Sequence, residues 1–87
     1  MRIYMELDPK VQDLRIAFEK AVTARKKTLF LDAYLRFFEK LEEFKRLAKK
    51  LGLSEEDIYR YFPDVGYMER SVRERYEEWM SSKFSQN

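Results

Sequence analysis

Between residues 29 and 51, Phe30, Tyr34, Phe37, Leu41, Phe44, Ala48 and Leu51 recur at alternating intervals of four and three. Side chains of a strand repeat every two residues, so only an α-helix puts these seven on one face. Leu29, Leu31, Ala33, Leu35 and Phe38 add apolar surface on other sides of its first half. A helix apolar nearly all round is buried, which predicts that this half is the hub of the fold. The chain has 87 residues, one small domain over 1–87. A chain of that size buries only about 60–65% of the surface its unfolded form exposes, so its core must be rich in large side chains. Seven Phe, six Tyr and one Trp meet that need.

The rest of the pattern predicts an all-α fold of four helices with a short N-terminal arm. Ile3, Met5 and Leu7 alternate with Tyr4 and Glu6, as a strand or extended arm would. No second strand-like run follows, so an arm, or a strand pairing across a dimer, is expected. Asp8-Pro9 reads as the cap and first position of a helix, with Val11, Leu14, Phe18, Ala21 and Val22 as its stripe. The stripe fails across residues 23–28, where a break is expected with Thr28 capping the long helix. Gly52 suits the left-handed position that ends that helix. Ser54 and Asp57 form a variant capping box for a short third helix. Ile58 and Phe62 point inward, and Pro63 reads as its stop. Asp64-Val65-Gly66 reads as a turn before a last helix over 67–83, with Met68, Val72, Tyr76, Trp79 and Met80 inward. Phe84 extends that stripe, and Ser85, Gln86 and Asn87 should fray.

Composition excludes more than it assigns. There is no Cys, hence no disulfide and no thiolate metal site, and no His, the commonest general base and metal ligand. No phosphate-cradling Gly loop and no nucleophile–base set is visible, so neither an enzyme nor a bound cofactor or metal is expected. No apolar run approaches the roughly 18 residues of a membrane span. The charged start is unlike a secretion signal, so a soluble, cytoplasmic protein is expected. Abundant Glu, Lys, Arg and Tyr would suit a thermophile. Net charge is only +2, yet residues 25–50 carry nine bases against four acids, while 51–66 carry one base against four acids. A basic face should lie beside an acidic patch.

Residues 47–63 then read as helix, three-residue break, short helix and stop. That is the grammar of a helix-turn-helix, in which a second helix enters a DNA groove. Leu-Ala-x-x-Leu-Gly-Leu-Ser followed by Ile-Tyr-Arg-Tyr-Phe-Pro resembles the DNA-binding segment of TetR-family repressors. Leu31-Asp32-Ala33-Tyr34-Leu35-Arg36-Phe37-Phe38 resembles that family's first helix. The resemblance implies that residues 47–50 lie on the supporting helix and 54–62 on the reading helix. It also implies that the Tyr59 and Tyr61 hydroxyls reach DNA phosphates. It covers residues 31–63 and no ligand-binding domain. The chain departs from the family in placing Glu55, Glu56 and Asp57 where the family has basic or small residues. It departs again in a shorter connection between the first two motif helices, consistent with one continuous helix.

Lys45, Arg46, Lys49 and Lys50 share one helix face, as a phosphate-contacting ridge or as a solvated surface complementing the helix dipole. Arg60 could bind guanine through its fork, or pair with Glu56 or Asp57. Tyr59 and Tyr61 could contact DNA or pack against neighbouring helices. Arg25, Lys26 and Lys27 could track a backbone or belong to a solvated joint. The expected function is that of a small helix-turn-helix protein binding double-stranded DNA, as a homodimeric transcriptional regulator or accessory factor. Its contacts would be Lys45, Arg46, Lys49, Lys50, Tyr59, Arg60 and Tyr61. The alternative is a helical protein-interaction module whose acidic turn and aromatics meet a basic protein partner.

Overall fold

The computed structural model describes residues 2–81, without the side chains of Arg2 and Ile3. The expectations for Ile3, Phe84, Ser85, Gln86 and Asn87 lie outside what is described. The described chain is all-α: α1 spans Arg2–Thr23, α2 Lys27–Lys50, α3 Glu55–Tyr61 and α4 Pro63–Met80. The long helices α1 and α2 form an antiparallel hairpin, and α4 packs against both. Phe44 meets Phe62 at one end of α2 and Phe30 meets Trp79 at the other, so α4 runs antiparallel to α2. Leu7, Leu14, Ala21, Phe30, Phe37, Phe44, Ala48, Ile58, Val65 and Val72 are fully enclosed between the helices. The result is an elongated body of 48 × 20 × 16 Å.

Residues near the N-terminus are helical, not an extended arm. Leu7 of the alternating set is buried, while Met5 is 74% exposed. Leu7 instead joins Val11, Leu14, Ala17 and Ala21 in one helical stripe, and Tyr4 sets its ring 5.3 Å from that of Phe62, tilted by 55°. Asp8-Pro9 is therefore interior to α1 and caps nothing. Pro9 lacks the N–H that would bond the carbonyl four residues back, that of Met5. Met5 faces solvent, where water can satisfy the freed oxygen.

Three further boundaries differ from expectation. The break after α1 is present, but α2 starts at Lys27; Lys26 precedes it without a side-chain cap, and Thr28 is inside the helix. Leu29 and Leu35 are 56% and 62% exposed, so the first half of α2 buries one face and not its whole circumference. Residues 64–66 are the first turn of α4, not a loop. Pro63 occupies a helix-starting position, where its missing N–H costs nothing. Phe62 alone breaks the chain direction, closing α3 and opening α4. Gly66 is buried there, and a Cβ on it would lie 3.3 Å from the Tyr59 ring. Close approach of α3 to α4 thus explains a glycine in a helix, where alanine would be favoured by about 1 kcal/mol.

The corner between α2 and α3 follows expectation closely. Gly52 has φ +96°. Its N–H donates to the Lys49 carbonyl and that of Leu53 to the Ala48 carbonyl, both at 3.0 Å, which is the Schellman arrangement. The Asp57 N–H donates to Ser54 Oγ, and the Ser54 N–H donates to Asp57 Oδ2, each at 3.1 Å. These bonds to the ionised carboxylate hold Asp57 below its ordinary pKa. A lowered pKa means that this stabilisation is complete above the ordinary aspartate range and lost as acid protonates the group. A Cβ on Gly52 would meet nothing within 4 Å. The cost of Gly52→Ala is then purely conformational, about 1–2 kcal/mol for an L-residue in the left-handed region, to be read from urea denaturation.

Candidate nucleic-acid interface

At its C-terminal end α2 carries Lys45, Arg46, Lys49 and Lys50, and the Gly52 corner folds α3 back beside them. The inward anchors are Ile58 and Phe62, both buried, with the Phe62 ring edge-on to Phe44 at 5.4 Å. Ile58 and Phe62 lie nearly opposite Arg60 on the helix, so anchoring them turns Arg60 outward.

The seven expected contact residues separate into three groups. Arg46, Lys50, Arg60 and Tyr61 are exposed. Neither Arg46 nor Lys50 has an ion-pair partner among the described residues. Arg60 has one long contact, 3.8 Å from Nη1 to Asp57 Oδ1. Tyr61 is 47% exposed.

Lys45 and Lys49 are already engaged. Lys45 Nζ lies 3.0 Å and Lys49 Nζ 3.5 Å from the carboxylate of Glu55. The Lys45 side chain is only 17% exposed, and its Nζ sits 5.2 Å from the centre of the Tyr59 ring. Burial works against the charge on Lys45. Its contacts with Tyr59 and Glu55 outweigh burial, and its pKa lies above the ordinary lysine value. The same hydrogen bond and the nearby lysine charges hold Glu55 below the ordinary glutamate value. Lys45 and Glu55 are therefore both ionised at neutral pH.

Tyr59 is taken out of the expected set. It is half-buried, and its hydroxyl donates to Glu69 Oε1 on α4 at 2.5 Å. Burial and this bond raise its pKa. Arg73 donates to the other Glu69 oxygen at 3.1 Å, so the carboxylate is held from both sides. The phenol ties α3 to α4 and does not face outward, contrary to the role implied by the TetR-like wording.

Two residues join the picture that spacing could not supply. Lys10 of α1, its Nζ 3.8 Å from Glu43 Oε1, shares a shallow depression with Glu43, Arg46, Leu47 and Lys50. Glu69 captures Tyr59 from ten residues away. Both depend on which helices meet, for which the sequence carried no local signal. Arg25, Lys26 and Lys27 lie at the other end of α2, about 36 Å away for a 24-residue helix, and cannot share a contact with the corner. Among the described residues, no three acidic side chains are grouped to hold a metal ion, and no helix is long and apolar enough to cross a membrane.

No relative was found. Neither protein-family models, nor curated protein sequences, nor solved structures match this chain. None of them supports the resemblance to TetR repressors read from residues 31–63.

Proposed function

We propose that this protein binds double-stranded DNA as a small regulator or accessory factor in the cytoplasm. One observation carries the reading. A capped corner at Gly52 holds a short helix beside the basic end of α2, and Arg46, Lys49, Lys50, Arg60 and Tyr61 are all exposed. Lys10, Arg46 and Lys50 would supply phosphate contacts, and Arg60 the one guanine-reading fork. A palindromic site would call for two copies, because paired reading helices stand one DNA turn apart.

The test is a titration of duplex DNA at several salt concentrations. The double substitution Arg46→Ala with Lys50→Ala is expected to weaken binding to all sequences. It should also flatten the salt slope by about 1.8, roughly 0.9 per lost phosphate contact. Arg60→Ala should leave the slope nearly unchanged and relax preference at one base pair. A wild-type protein that binds no duplex at low salt defeats the proposal.

A second reading has its own support. The outward face of α3 sets Arg60 between Glu56 and Asp57, a net acidic surface that opposes a polyanion and would suit a basic protein partner. Binding of a basic helical peptide in the absence of any duplex binding would favour it.

A further inference from the structure

We infer that the carboxylate of Glu55 is an internal substitute for a DNA phosphate, one that lowers affinity for duplex of any sequence. This rests on the DNA-binding reading. Glu55 sits between two lysine ammonium groups, with one oxygen 3.0 Å from Lys45 Nζ and the other 3.5 Å from Lys49 Nζ. A phosphate offers the same chemistry, an anionic oxygen pair facing two cations. DNA approaching this face must displace the carboxylate before it can use either lysine.

The displacement needs only a side-chain rotation. Glu55 is 55% exposed on its side chain, and it is the first residue of α3. The cap of that helix is made by Ser54 with Asp57, so α3 keeps its start when Glu55 swings away. Lys49 is 54% exposed and ready to turn toward a phosphate. Glu56 is exposed as well, but has no cation partner among the described residues. The competition is thus a property of one acid, not of acidic charge in general. Phosphate contacts contribute alike to every sequence and base contacts do not. Glu55 therefore lowers specific and non-specific affinity by the same factor, and the difference between them stays with base contacts such as that of Arg60.

Glu55→Gln and Glu56→Gln separate this from a simple change of net charge, since each removes one negative charge. Affinity for a random-sequence duplex is measured against salt for the wild type and both variants. Glu55→Gln is expected to bind about tenfold tighter at low salt and to steepen the salt slope by about 0.9, as the exposed Lys49 takes up a phosphate. Glu56→Gln should gain less, with the slope unchanged. Equal behaviour of the two variants, with a wild type that binds, overturns the inference and leaves the DNA-binding reading standing. Absence of binding by all three proteins at low salt removes both.

Discussion

Phe37→Ala is expected to lower the unfolding free energy by about 3–5 kcal/mol, through lost burial and the cavity left behind. Phe37 is fully enclosed at the middle of α2 and meets Phe38 edge-on at 5.2 Å. A domain of this size has roughly 5–10 kcal/mol in total, so a substantial fraction of the variant should be unfolded at moderate temperature. Phe38→Ala should cost clearly less. Its ring lies at the half-buried margin of the core beneath Arg73, whose guanidinium is 4.6 Å from the ring centre. The variant retains much of the enclosure it had. Urea denaturation of both variants decides the matter. Equal losses, or a loss below about 1.5 kcal/mol for Phe37→Ala, would mean that α2 does not present the face described.

The contrast between these neighbours shows what the sequence could convey. The four-and-three spacing of Phe30, Phe37, Leu41, Phe44 and Ala48 identified the buried face of α2 because periodicity is local. It could not show that Leu29 and Leu35 would be left in solvent, because that depends on where α1 and α4 lie. The Gly52 corner and the Ser54–Asp57 cap were legible for the same reason as the periodicity: each is completed within a few residues. Lys45 with Glu55 and Tyr59 with Glu69 are pairs ten residues apart, on different helices. Neither follows from any helical repeat. These pairings changed the candidate surface most: Glu55 occupies Lys45 and also Lys49, and Glu69 holds Tyr59 against α4. Pro63 illustrates ambiguity of another kind. It can stop one helix or open the next, and here it stands two residues beyond the end of α3 and is the first residue of α4.

The N-terminal segment offers the sharpest separation between an arm and a helix. Three alternating apolar residues fit a strand, and Asp8-Pro9 fits a helix start, so local signals favoured an arm. Helical spacing runs through both: Leu7 precedes Val11 by four and Leu14 by seven, and all three are buried. Burial of this stripe outweighs the interior proline, whose orphaned carbonyl acceptor lies on an exposed turn. Leu7→Ala is therefore expected to cost about 2–4 kcal/mol, as a fully enclosed leucine should. Met5→Ala should fall within about 0.5 kcal/mol of the wild type, because its side chain is largely in solvent. An extended arm lying off the domain would give small effects at both positions. An edge strand burying alternate residues would make Met5 and Leu7 cost alike. Only a helix continuous through Pro9 makes the two sites differ as described, and denaturant titration of the two variants reads that difference directly.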